Sequence, residues 1–262
     1  MSRTTLRLKI LAFSGLLATA GLNVATAAPA AAIPGLGNIS VATAVNSNVF
    51  KSAVATCPAG QRVIGGGARL TISTGEVSIT RMAPTAATDG YEAGAYEDVD
   101  GFAGAWGLVV TAICANPPPG YTVVTAMSPM GSPAIASATA TCPGTLQVLG
   151  TGGAETPGFA GSWNVQSWAI CTAPVAGHTV VVTVGVATSA SPKTLTSTCP
   201  AGRPVHGVGF LTVGAGVGEI FLNAAYPNPP LPVGTSVPVT ASEDQGGVAG
   251  NWAIRTFAIC AT

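Results

Sequence analysis

Two signals recur three times, in the same order, along this chain of 262 residues. The opening signal is Thr56-Cys57-Pro58, Thr141-Cys142-Pro143 and Thr198-Cys199-Pro200. Six residues after each Cys stands Val63, Val148 or Val205; eight after it, Gly65, Gly150 or Gly207; ten after it, Gly67, Gly152 or Gly209. The closing signal is Trp106, Trp163 or Trp252, each followed eight residues later by the Cys of an Ala-Ile-Cys triplet, Cys114, Cys171 or Cys260. A sequence repeated at this scale means one supersecondary unit used several times. We read a tail at 28–34 and units at 35–116, 117–172 and 173–262, the middle one shortened.

The closing segment has the period of a strand. Trp106, Leu108, Val110, Ala112 and Cys114 share one face, and the same face recurs as Trp163, Val165, Ser167, Ala169, Cys171 and as Trp252, Ile254, Thr256, Ala258, Cys260. The three recurring Trp are therefore expected in the core. Tyr121-Thr-Val-Val and His178-Thr-Val-Val are further strand formers. The chain holds 34 Gly and 20 Pro, and both oppose helix interiors. The fold class is therefore all-β, in three antiparallel Greek-key-like units. In the first unit, residues 68–73 and 76–82 flank Thr74-Gly75, which predicts a hairpin. Residues 210–213 and 219–223 predict its counterpart in the last unit. The middle unit has only 10 residues between Gly152 and Trp163, and lacks it.

Six cysteines, two per unit, read as disulfides in a secreted chain. Fifteen pairings are available, and the repeat selects one per unit: Cys57–Cys114, Cys142–Cys171 and Cys199–Cys260. Loop entropy makes each worth roughly 3.5 to 4.3 kcal/mol. No CxxC pair supports zinc.

The segment Cys199-Pro-Ala-Gly-Arg-Pro-Val-His-Gly-Val-Gly-Phe, with a later Gly-x-Trp and Cys, resembles the repeat of vitelline membrane outer layer proteins. The likeness lies in the paired Cys, the Gly after the first and the Trp before the second. That family's acidic Asp-Asp-Thr-Ala-Leu-Asn segment is missing here, and the closing strand is spaced differently. The resemblance implies a pseudo-three-fold β-prism, an extracellular coat setting and contact with carbohydrate. The units also resemble repeats of small secreted bacterial proteins of unassigned role. A closed prism would bury the inner face of every unit.

Arg3, Arg7 and Lys9, the apolar run that follows, and Ala25-Thr26-Ala27 make residues 1–27 a Sec-type signal peptide, with the mature chain starting at Ala28. The apolar run is too short to span a bilayer, and no later segment qualifies as a span either, so the chain is not read as membrane-spanning. Only 8% of residues are charged, ten basic against ten acidic. That leaves no basic excess for a nucleic-acid partner.

Candidate chemistry is sparse. Glu97-Asp98 and Glu243-Asp244 lie at matching positions, each five residues before the closing motif. Asp100 and Glu92 add charge in the first unit, and Glu155 is the nearest middle-unit counterpart. Hard oxygen ligands suit Ca²⁺, for which Glu97, Asp98 and Asp100 are the candidates; no other cofactor is expected. Trp168 has no repeat counterpart and lies on the opposite strand face, where an indole can stack on a sugar. His178 matches Tyr121 and is read as a surface residue at a strand end; His206 matches Ile64 and Leu149 and is read as structural. No Gly-x-Ser-x-Gly elbow is present.

Three functions follow in order. The first is a secreted, non-enzymatic structural or interaction protein of an envelope or extracellular matrix. The second is a lectin-like, Ca-assisted binder using Glu97, Asp98, Glu243, Asp244 and Trp168. A secreted hydrolase, the remote third, needs a histidine to meet a carboxylate and a hydroxyl. The partners expected are an extracellular glycan or a cell-surface protein.

Overall fold

A computed structural model describes residues 33–72, 75–133, 135–157, 161–214, 219–228 and 234–262. The expected signal peptide and most of the 28–34 tail lie outside the described residues. Every named element is a strand. Segment 35–116 forms β1 (Gly37–Ala42), β2 (Phe50–Thr56), β3 (Arg62–Leu70), β4 (Val77–Pro84), β5 (Gly90–Glu97) and β6 (Leu108–Ala115). Segment 117–172 forms β7 (Thr122–Met127), β8 (Gln147–Pro157) and β9 (Trp163–Thr172). Segment 173–262 forms β10 (Thr179–Val184), β11 (Lys193–Thr198), β12 (Val205–Gly214), β13 (Ile220–Ala225), β14 (Ser236–Glu243) and β15 (Trp252–Cys260).

The three Ala-Ile-Cys strands each sit between two antiparallel neighbours: β6 between β1 and β3, β9 between β7 and β8, β15 between β10 and β12. The outer segments add a second trio, β2-β5-β4 and β11-β14-β13, which the described residues of segment 117–172 lack. The trios then join across segments. Strand β3 pairs with β13, giving the sheet β1-β6-β3-β13-β14-β11, and β4 pairs with β8, giving β2-β5-β4-β8-β9-β7. The third sheet, β10-β15-β12, has three strands. All three sheets are open and none closes into a barrel.

The expected hairpins are a correction. Strands form on both sides of Thr74-Gly75, but β3 and β4 do not pair; they belong to different sheets, as do β12 and β13. The real hairpins are β4–β5 and β13–β14. A local turn signal reports a change of direction and says nothing about which edge the next strand finds.

The disulfides are those the repeat selects: Cys57–Cys114, Cys142–Cys171 and Cys199–Cys260, with sequence separations of 57, 29 and 61. Each ties the segment's opening to its last strand, and among the described residues no cysteine is free.

Beside each bridge the ladder slips by one residue, between Val63 and Gly65, Val148 and Gly150, and Val205 and Gly207. A bulge leaves one extra residue outside the pairing. Here the extra residues are Ile64, Leu149 and His206, all with no exposed surface. The glycine after each bulge lets the next backbone approach. A Cβ on Gly65 would lie 1.9 Å from the His206 carbonyl oxygen, one on Gly150 2.1 Å from that of Ile64, and one on Gly207 2.7 Å from that of Leu149. The contacts run in a ring, from the first segment to the last, from the middle to the first, and from the last to the middle.

The recurring Trp do not share one fate. Trp106 and Trp252 are fully buried. Trp163, expected in the core, is half-buried. Among the described residues, its segment has no second trio to lay over the ring.

Candidate functional site

The acidic pairs end strands β5 and β14 and turn inward. One oxygen of Glu97 accepts the indole N–H of Trp106 (2.8 Å), and the other accepts the Phe102 N–H (3.2 Å). Glu243 does the same with the Trp252 indole and the Val248 N–H (3.3 Å). Asp98 accepts the N–H groups of Asp100 (3.1 Å) and Gly101 (2.9 Å), and Asp244 accepts that of Gln245 (2.7 Å). These carboxylates fasten the loops that lead into β6 and β15. Among the described residues, no three carboxylate, imidazole or thiolate groups gather in a way that could hold a metal ion.

A lysine lies over each of the two buried indoles. Lys51 is 4.6 Å from the Trp106 ring centre, and Lys193 is 4.5 Å from that of Trp252, close enough for cation–π attraction. Sequence reasoning passed over both. Each stands six residues before an opening Cys, where the middle segment has Ala136. The middle segment also has Ala154, nine residues before Trp163, where the others have glutamate. The Trp163 indole instead donates to the Pro133 carbonyl (3.2 Å).

The two acidic loops meet. Asp100 accepts a hydrogen bond from the Gln245 amide, and the burial cost together with Asp98, Asp244 and Asp100 pushes the Glu76 carboxyl above its usual range. Trp168 is elsewhere. It lies on the opposite strand face, as expected, but only 8% of it is exposed. The Arg81 guanidinium lies 5.1 Å from its ring centre and pairs with Glu92. That cover leaves no open indole face for a sugar.

Two of the open concavities bear on the expected site. A cleft of about 320 Å³ lies between β4, β8 and β12, with Arg81, Met82, Gly152, Glu155, Val208 and Phe210 in its wall. None of Glu97, Asp98, Glu243, Asp244 or Trp168 lines it. The residues expected to converge on an open cleft do not. The second is a trough of about 560 Å³ on the β1-β6-β3-β13 sheet, lined by Asn38, Ser40, Arg69, Thr111, Tyr226 and Asn228. Arg69 sits 5.6 Å from the Tyr226 ring centre. No sequence signal marked these residues, because β3 and β13 come from segments far apart in the chain.

The histidines are held by backbone. His178 Nε2 lies 2.8 Å from the Val148 carbonyl oxygen, just as the Tyr121 hydroxyl donates to that of Val63 (2.8 Å). Each ring thus locks the bulge of the preceding segment. His206 Nδ1 lies 3.0 Å from the Pro204 carbonyl oxygen. Burial, with His178 adding a smaller repulsion, lowers the His206 pKa to about 4. Among the described residues, neither ring is hydrogen-bonded to a carboxylate or a hydroxyl, the partners a hydrolytic triad needs.

No protein-family model matches this chain, and no curated protein matches it.

Proposed function

We propose that this is a secreted, non-enzymatic structural or interaction protein of an envelope or extracellular matrix. One observation carries the reading: each of the three segments is closed on its own last strand by a disulfide, in a chain with 8% charged residues. Disulfides persist in oxidising, extracytoplasmic compartments. The few polar side chains that could do chemistry serve the scaffold instead: Glu97 and Glu243 hold indoles, and His178 holds a bulge.

The same reading takes the segments as three homologous units round a pseudo-three-fold axis, a prism like that of the vitelline membrane outer layer proteins. The ring of glycine contacts supports it, as does the sharing of two sheets between segments. On this view the third face is incomplete because the middle unit is short.

Carbohydrate binding is the second reading, and the trough beside Tyr226 favours it over the acidic loops. An aromatic ring flanked by amide, hydroxyl and guanidinium groups suits a sugar. Two experiments test the pair. Fractionation of the native cells should recover the oxidised protein with the envelope or extracellular matrix; recovery as a reduced cytosolic protein would sink the first reading. On a glycan and cell-wall polysaccharide array, binding abolished by Tyr226→Ala and unchanged by Trp168→Ala would favour the second.

A further inference from the structure

The three strands that follow the bulges, β3, β8 and β12, can be compared residue by residue from their opening Cys. Eleven and twelve residues after it stand Ala68 and Arg69, Gly153 and Ala154, and Phe210 and Leu211. In β3 these two pair with Ala225 and Ala224 of β13. In β8 they pair with Met82 and Arg81 of β4. In β12 they pair on one side with Thr256 and Arg255 of β15, and among the described residues no strand lies on the other side. Ten residues after the Cys, the glycines show the same contrast. A Cβ on Gly67 would lie 2.2 Å from the Ala225 carbonyl oxygen, and one on Gly152 2.9 Å from that of Met82. At Gly209 the nearest atoms belong to the Phe257 side chain of its own partner β15, at 3.3 Å, and not to a strand on the other side.

The vacant edge is apolar where the occupied ones are small or charged. Phe210 is 37% exposed and Leu211 45%. From Val205 to Gly214 the strand holds no Lys, Arg, Asp, Glu or Pro, the residues with which proteins usually block an edge. Thr151 Oγ1 donates to the Val208 carbonyl (2.6 Å), so the vacancy starts beyond that residue.

We infer that β12 pairs, antiparallel and about a two-fold axis, with β12 of a second copy of this chain. The pairing would centre on Phe210 and Leu211. Two features select a second copy as the occupant. A strand without charge can face itself with no like-charge repulsion, as a two-fold contact requires. The sheet is also three strands short of the other two, and a second copy arriving at this edge supplies three, in the order β10-β15-β12-β12-β15-β10. The inference rests on strand geometry alone and is independent of the envelope reading.

Sedimentation velocity on the disulfide-bonded protein, over a wide concentration range, tests it. A particle of twice the chain mass is expected. Leu211→Lys places a charge on the vacant edge at an already exposed site and should weaken the dimer at least about tenfold. Val182→Lys, on the outer face of β10 where Val182 is 49% exposed, should leave it intact. Thermal melting and far-UV circular dichroism confirm that both variants fold. Amide hydrogen exchange should show protection of 209–213 that rises with protein concentration. A monomer at every concentration, an unweakened Leu211→Lys dimer, or equal loss in Val182→Lys would each overturn the inference.

Discussion

His206 occupies the place that Ile64 and Leu149 fill with hydrocarbon. Its pKa of about 4 is well below the ordinary 6.5, because the buried ring resists charge. Between those values the unfolded chain binds a proton that the folded chain does not. Stability therefore falls as pH drops from about 6.5 to about 4, by on the order of 3 kcal/mol in total. His206→Leu should flatten that part of the stability curve, measured as urea midpoints across pH, and should raise stability most at the acid end. The Glu97 carboxylate makes a second residue-scale case. Glu97→Ala strands the buried Trp106 indole N–H and should cost about 1–3 kcal/mol, whereas Glu97→Gln keeps an acceptor and should cost less. Denaturant titration followed by Trp fluorescence separates the two. The sequence placed Glu97 and Glu243 at matching positions correctly. It could not tell a solvated carboxylate from one aimed at an indole, because the nine-residue spacing to Trp acquires meaning only once the intervening chain folds back. The period-two face likewise placed Trp106 and Trp252 well and Trp163 badly, since cover depends on strands that another part of the chain must supply.

At the scale of the element, the bulge and its glycine act together. The bulge sends one side chain inward, and the glycine admits a carbonyl from the next segment. Gly150→Ala puts a Cβ 2.1 Å from the Ile64 oxygen and should cost about 3 kcal/mol, the upper end of the range for overpacking. Gly153, in the same strand, has open space at its Cβ; alanine there should change stability by less than about 0.5 kcal/mol. Thermal melts of the two variants make the comparison. The acidic loops allow an equally direct check. Their carboxylates already accept backbone and indole N–H groups, so added Ca²⁺ should leave the melting temperature unchanged; a dose-dependent rise would reveal an ion site. Most strands were legible as strands. Their partners were not, as the 68–73 and 76–82 pair shows, because β3 and β4 each find an edge more than fifty residues away in sequence.

Across the whole molecule, covalent and non-covalent order are divided. Each disulfide closes within a segment, while two of the three sheets cross between segments. Replacing Cys57 and Cys114 with alanine should cost roughly 4 kcal/mol, read from urea midpoints, since that bridge closes a loop of about 57 residues. The position of the bridges has another outcome, concerning enzymes that cut after lysine or arginine. Seven such residues follow residue 27. Arg62, Arg69 and Arg81 lie inside the Cys57–Cys114 loop, and Arg203 and Arg255 inside the Cys199–Cys260 loop, so a cut at any of these five leaves the pieces joined by sulfur. Only Lys51 and Lys193 lie outside every loop, and these are the two whose ammonium groups rest on the Trp106 and Trp252 rings. Because Pro204 blocks cleavage after Arg203, the folded chain offers a trypsin-like protease four cleavable sites inside the loops, where a single cut releases nothing, and two that are held against an indole.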